Sequence, residues 1–421
     1  MVITSDQMVR FPSPIQALRH RDFRLFWAGQ SVSLIGDGVF NVALVWQTLE
    51  LSSTTGALAL VTLTRFVPRL ALLLIGGAVS DRVSRRRLML TTDLIQALGV
   101  ASIAALSAIS ALEIWHLALL AGLIGAANAF YLPTITAIVP ELVPRDDLLN
   151  ANALRAGSQL LTQDLLGPAL GGVLVAAAGA GTAFALDAVS FAASFFALLA
   201  IRTRTRSEKN TSRFRSHLTE GFEYAKARRW LWISLIAAAF GNLFLTGSVS
   251  ILIPLIIRNQ LHGGAPELGA YFASLGLGGG IGILVTSKIR LRQPRIPASF
   301  AAWGLCGLAL ASIGLAPSIV IVVLCGAVLG AGLQYGNVMW ETLLQEAVPQ
   351  RILGRVTSFD WFVSLTLQPA SLALAAPVGA TIGARNTVVA AGLLDVVALI
   401  VGYSRRGVRG ARPEHSDHAD A

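Results

Sequence analysis

Residues 57–110 read ALALVTLTRFVPRLALLLIGGAVS, then DRVSRRR, then LMLTTDLIQALGVASIAALSAIS. Two apolar runs stand on either side of a short turn that carries Arg82, Arg85, Arg86 and Arg87. At 1.5 Å per residue, about 20 helical residues cross the roughly 30 Å of bilayer hydrocarbon, and both runs are that long. Neither alternates apolar with polar, so they are helices and not strands of an outer-membrane barrel. The charged hairpin between two membrane-length helices sets the fold class.

The same unit recurs outward from this hairpin. Apolar runs fall at about 24–49, 57–80, 88–110, 115–139, 156–178 and 181–201, then at 230–257, 268–288, 297–316, 318–342, 356–380 and 386–403. Over the 421 residues, 54% are hydrophobic and 13% charged, against roughly 25% charged in soluble domains. Cys306 and Cys325 both lie in apolar runs and read as core residues, without a disulfide or metal framework. The polar, basic start of the chain has no apolar core and leads directly into the first run, so no cleavable signal is expected.

Lysine and arginine set the orientation. If the N-terminus is cytoplasmic, 29 of the 33 fall in cytoplasmic segments, while Arg258 and Arg385 are external and Arg65 and Arg69 lie within the second run. The positive-inside rule then predicts twelve spans, both termini inside, in the cell inner (plasma) membrane. It also accounts for the net charge of +10 as topology anchors facing anionic lipid, which argues against nucleic-acid binding.

Compared with itself at an offset of 205, the chain aligns Arg24 and Trp27 with Arg229 and Trp232. Gly36-Asp37 falls on Gly241-Asn242, Gly77, Arg85 and Arg87 on Gly282, Arg290 and Arg292, and Val143-Pro144 on Val348-Pro349. The expectation is an all-α membrane protein of two parallel six-helix pseudo-repeats, with a site between them at mid-depth. The expected divisions are a bundle at 1–201, a basic cytoplasmic linker at 202–229, a second bundle at 230–403 and a tail at 404–421. Within the linker, Phe214, Leu218, Phe222 and Ala225 recur at helical spacing, predicting an amphipathic helix on the inner membrane face.

Asp37 is the most informative single residue. It lies some 14 residues into the first run, about 21 Å deep, where a carboxylate must face water, pair, or take up a proton. Gln30, Ser33, Asp37, Asn41 and Thr48 share one helical face, and the seventh run carries Asn242, Thr246 and Ser250 at fourfold spacing. Two such stripes facing each other would wall an aqueous path. Arg65 lies at a similar depth, so Asp37 reads either as a proton-coupling group or as half of a permanent ion pair with Arg65.

The turn from Gly77 to Arg87 resembles the signature loop of the major facilitator superfamily, Gly-x-x-x-Asp-Arg/Lys-x-Gly-Arg-Arg/Lys. Gly77, Asp81, Arg82, Arg85 and Arg86 match, with Ser84 in place of the second glycine. By that resemblance these are gating residues. Gly167, Pro168, Gly171 and Gly172 are similar to the superfamily's antiporter motif, with Gln163 where its first glycine would be. Phe23-Arg24-Leu25-Phe26-Trp27, Pro140-Glu141-Leu142-Val143-Pro144-Arg145, Leu186-Asp187 and Gly354-Arg355-Val356 resemble the enterobactin-exporter and mycobacterial multidrug-efflux-like branch. The superfamily lines its cavity with spans one, four, seven and ten, which adds Asn128 and Tyr131, and Gln334, Tyr335, Asn337 and Trp340, as candidates. The fourth run has no Arg or Lys, so the basic residue that many drug/proton antiporters use there is absent, and the weight falls on Asp37 and Arg65.

The glycine run from Gly276 to Gly282 lacks the strand context of a nucleotide loop and no Walker lysine motif occurs. No ATP, cofactor, metal or enzymatic activity is expected. The reading is a secondary transporter exporting small hydrophobic or amphipathic molecules by proton antiport with alternating access. Its expected partners are a small-molecule substrate, protons and the lipid bilayer, and it would act as a monomer. A dedicated siderophore or lysophospholipid transporter, and a non-transporting membrane sensor or scaffold, stand as alternatives.

Overall fold

The computed structural model describes residues 14–52, 54–80, 83–202, 222–288, 295–405 and 408. Long helices built on Ala, Leu, Val and Ile dominate, because a chain in hydrocarbon must satisfy its backbone groups within each segment. Eleven helical segments among the described residues are long and apolar enough to cross a membrane. One of them, Arg145–Ala200, has 56 residues and would be about 84 Å long if straight. It is interrupted at Gly179, whose φ of 79° and ψ of 163° suit a residue without a Cβ. Among the described residues the crossings therefore number twelve.

The first four spans are Arg21–Leu51, Thr55–Ser80, Arg85–Ala108 and Ile114–Leu142. The fifth begins as Leu148–Gln159, widens into a π-helix at Leu160–Leu166 and continues from Gly167 to the break at Gly179, after which the sixth runs to Ala200. Pro168 explains the widening, since it lacks an amide hydrogen and crowds the preceding turn. The seventh comprises Arg229–Gly247 and a tail to Gln260 with wide turns on either side of Pro254. Ala265–Lys288, Arg295–Leu315 and Ile319–Ala347 are the eighth to tenth. The eleventh is Gln350–Thr366 and Gln368–Ile382, broken at Leu367 ahead of Pro369, and Ala384–Ser404 is the twelfth.

Large apolar side chains face outward, including Leu98, Leu119, Val189, Phe196, Leu324 and Ile400. Lipid tails cover them at no cost, whereas water would not. Helix association in lipid relies on small residues and close backbones, and the repeat at an offset of 205 shows in that packing. A Cβ on Gly36 would strike Asp187 and Ser190 of the sixth span; one on Gly241, 205 positions on, would meet Asp395 of the twelfth. Asp395 is itself the counterpart of Ser190.

Of the linker helix, Phe214 and Leu218 lie outside the described residues. Residues 222–227 are helical, and Ala225 is fully buried against Leu231, Leu235 and Trp340 of the second half. Phe222 packs edge-on against Trp232 and Phe359. This end of the helix is docked onto the second bundle by its aromatic contacts.

The halves meet at one end of the bundle. Val42, Leu49 and Leu58 of the first half share an apolar cluster with Ile251, Ile253, Ile256, Leu268 and Tyr271 of the second, and the Arg258 guanidinium lies 5.1 Å from the centre of the Trp46 ring. The second span packs on the eleventh and the eighth on the fifth. At the opposite end, which carries most of the arginines, Leu148–Gln159 and Gln350–Thr366 make their extensive contacts within their own halves. Among the described residues, the bundle is sealed at the weakly basic end and parted at the basic one.

Candidate transport site

A cavity of about 600 Å³ lies between the halves, walled by the first, second, fifth, seventh, eighth and tenth spans. Its polar lining includes Asn41, Thr62, Arg65, Gln163, Asp164, Asn242, Thr246, Ser250, Gln334 and Asn337, set among Leu44, Phe272, Leu275 and Leu333. Apolar walls with a few fixed polar groups are what a small-molecule site requires.

Of the residues singled out in the sequence, Asn41, Arg65, Asn242, Thr246, Ser250, Gln334 and Asn337 reach this cavity. Ser33 is buried inside the first bundle. The fourth span is absent from the lining: Asn128 donates to Gln96 at 2.9 Å, and Tyr131 gives its hydroxyl proton to Gln30. Both polar groups are spent on neighbouring helices of their own half. Tyr335 is half-buried on the tenth span beside the lining residue Gln334, outside the cavity wall. The first-span stripe divides in the same way. Gln30 and Ser33 turn inward and Thr48 bonds back to the Leu44 carbonyl at 2.7 Å, leaving Asn41 as the member that reaches the cavity.

Asp37 and Arg65 are not joined by an ion pair among the described residues. Arg65 instead donates to Asn41 Oδ1 at 2.6 Å and lies 5.0 Å from the centre of the Phe40 ring. The half-buried Asp37 lies near enough to feel the charges of Arg65 and Arg69. A permanent Asp37–Arg65 pair is therefore not the arrangement here. The guanidinium has a neutral acceptor on the first span, one turn beyond Asp37, and the carboxylate keeps its cationic neighbours without a bond to either.

The antiporter-like motif sits at the seal. Gly167 crosses Gly38 so closely that a Cβ on either would come within 2.7 Å of the other's Cα. A Cβ on Gly171 would press on Val39, and one on Gly172 would stand 2.6 Å from the Ala265 carbonyl of the eighth span. The motif thus clamps the fifth span to the first and, across the halves, to the eighth. Pro168 follows the π-helix and lines the cavity.

The signature loop is described only in part. Asp81 and Arg82 lie outside the described residues, as does the side-chain environment of Gly77. Arg85 donates to Glu141 Oε1 at 2.5 Å and to the Ala137 carbonyl at 2.9 Å, tying the third span to the fourth. Arg86 donates to the Leu198 and Leu199 carbonyls, at 2.8 and 2.7 Å, at the end of the sixth. In this conformation both arginines hold the first half together. Nearby, Arg19 and His20 each contact Asp147 Oδ2 at 2.7 Å; these bonds, led by that from His20, push the Asp147 pKa down to about 2.

The model of one family, described as transmembrane secretion effector, matches residues 12–415. The chain belongs to this family of major facilitator transporters. Among its relatives, the multidrug efflux pump Tap of Mycobacterium tuberculosis is 27% identical over 378 residues, covering 85% of this chain and 87% of Tap. The enterobactin exporter EntS of Shigella boydii is 26% identical over 401 residues, covering 94% and 95%. A solved bacterial homologue of the human lysosomal transporter Spinster, in an inward-facing and unoccupied conformation, shares the fold at a TM-score of 0.69 and 15% identity, covering 93% of this chain and 97% of that one. As a family member the chain is a multi-pass membrane transporter, and the branch that its sequence resembles is represented among these relatives by both a mycobacterial multidrug pump and an enterobactin exporter.

Proposed function

We propose that this transporter exports small hydrophobic or amphipathic molecules by alternating access, driven by proton entry. The observation that carries this reading is the 600 Å³ cavity between two six-helix halves, sealed at one end and parted at the other. A ligand bound there reaches the opposite side once the sealed contacts part and the basic ends close. The lysine and arginine distribution supports a cytoplasmic basic face with both termini inside, which makes the present conformation inward-open. Kinship with a multidrug pump and an enterobactin exporter supports export.

Asp37 is the proton-coupling candidate. Without a bonded partner it can gain and lose a proton as the second span moves Arg65 and Arg69 toward or away from it. A dedicated siderophore exporter is the second reading, favoured by the similarity to EntS. The test is reconstitution of the full chain in liposomes with an imposed pH gradient. Wild type should move a fluorescent amphipathic dye, and Asp37→Asn should retain dye binding while losing gradient-driven movement. Unchanged gradient-driven transport by Asp37→Asn would remove the coupling role.

A further inference from the structure

The central cavity has a side chamber that export by itself does not explain. A recess of about 150 Å³ opens within the second half and shares Asn242, Leu245, Leu333 and Asn337 with the central cavity. Three carboxylates line it, Glu341 from the tenth span, Asp360 from the eleventh and Asp395 from the twelfth. Three indoles, Trp303, Trp340 and Trp361, complete the wall, and none of the lining residues is Lys, Arg or His.

Asp395 is the independent sign that something is meant to enter. It is fully buried, and neither carboxylate oxygen has a hydrogen-bond partner. Its oxygens occupy space left open by Gly241 and Gly307, where Cβ atoms would stand 3.0 and 2.6 Å away. Burying a carboxylate without a partner is costly. At an offset of 205, the first half places Arg155 opposite Asp360, Ser190 opposite Asp395, and Leu98 and Ile135 opposite Trp303 and Trp340. These four positions carry no acid and no indole in the first half, whose own buried carboxylates, Asp93 and Asp187, stand at other places in the alignment.

The chemistry selects among cations. No group of carboxylates among the described residues is gathered closely enough to hold a metal ion, so the recess suits a diffuse charge. Trp303 and Trp340 stand with ring centres 5.9 Å apart at 57°. Trp340 is fixed by donating to Asp360 at 3.1 Å, and Trp303 by donating to Asn337 at 3.3 Å. Indole faces attract alkylated ammonium groups, and anionic neighbours strengthen that attraction once water is excluded.

We propose that this recess binds the alkylammonium head of a cationic amphiphile whose apolar body occupies the central cavity. This rests on the export reading and narrows its substrate class to organic cations. The neutral or anionic part of a ligand is left to the larger chamber.

The experiment uses the full chain in lipid nanodiscs and two isosteric probes, benzyltrimethylammonium and its uncharged analogue neopentylbenzene, with binding followed by quenching of tryptophan fluorescence. The cation should bind at least about tenfold more tightly than the neutral probe. That preference should shrink in Glu341→Gln, which alters an exposed side chain, and in Asp360→Asn and Asp395→Asn. Equal binding of the two probes, or a preference untouched in all three variants, would overturn the proposal. Wild-type proteoliposomes assayed with a neutral amphipathic dye separate the two readings. Dye transport without charge preference removes the recess and leaves export, whereas charge preference without any dye or cation transport removes export and leaves the recess as a binding site.

Discussion

Glu141 and Glu346 stand 205 positions apart and do the same work in the two halves. Glu141, at the end of the fourth span, pairs with Arg85 at the start of the third, and Glu346, at the end of the tenth, pairs with Arg295 at the start of the ninth. Each clamp closes a hairpin at the basic end. The two differ in burial: the Arg85–Glu141 side chains are 16% and 17% exposed, while those of Arg295 and Glu346 are 28% and 40% exposed. Glu141→Gln should therefore cost about 1–3 kcal/mol and Glu346→Gln about 0–1 kcal/mol. Thermal unfolding of the purified variants in detergent checks the order, which equal losses would contradict.

The seal depends on the absence of a side chain at Gly172. Because a Cβ there would meet the Ala265 carbonyl, Gly172→Ala should force the fifth and eighth spans apart and favour the state open at the weakly basic end. Ile253, fully buried in the cross-half cluster, is the reporter. In a background lacking Cys306 and Cys325, Ile253→Cys should label slowly with a membrane-impermeant maleimide, and several-fold faster once Gly172→Ala is added. An unchanged rate would show that the close approach does not govern closure.

The bond between Arg65 and Asn41 predicts a measurable coupling. Asn41→Ala deprives the guanidinium of its acceptor and should cost about 1–3 kcal/mol. In an Arg65→Gln background the same change should cost less, and the double-mutant cycle isolates the difference. Additive effects on thermal stability would mean that Asn41 does not hold Arg65.

Asp147 sets a pH dependence at the basic end. Its carboxyl titrates at about 2 in the folded chain, against about 3.9 when unfolded. A lowered folded pKa contributes stability that is fully present above about pH 4 and disappears as pH falls toward 2. Asp147→Asn should lower the thermal midpoint at neutral pH and should converge with wild type as pH falls through that window. Parallel curves from pH 6 to pH 2 would exclude the contribution.

Spans and repeat were readable because each leaves a periodic or compositional trace. Membrane-length apolar runs and Gly36-Asp37 matched by Gly241-Asn242 both survive translation into coordinates. The wall of the site was only half readable. Depth and helical face placed Asn41, Asn242 and Thr246 near the cavity, and the superfamily resemblance added Asn337, but a sequence does not record how far each helix is rotated against its neighbours. Asn128 and Tyr131 have the right depth, yet Gln96 and Gln30 already satisfy them. Arg65 likewise chose Asn41 over Asp37, a matter of side-chain reach. Asp360 and Asp395 carried no distinguishing spacing. Only the convergence of three helices makes them neighbours of Glu341 and three tryptophans.

At the sealed end the helices turn with very little connecting chain. Leu51 is followed by the next helix at Thr55, Ala108 by Ile114, Gln260 by Ala265, Leu315 by Ile319, and Ile382 by Ala384, while Gly179 reverses the chain alone. That face offers proteases, antibodies and docking proteins almost nothing to grip.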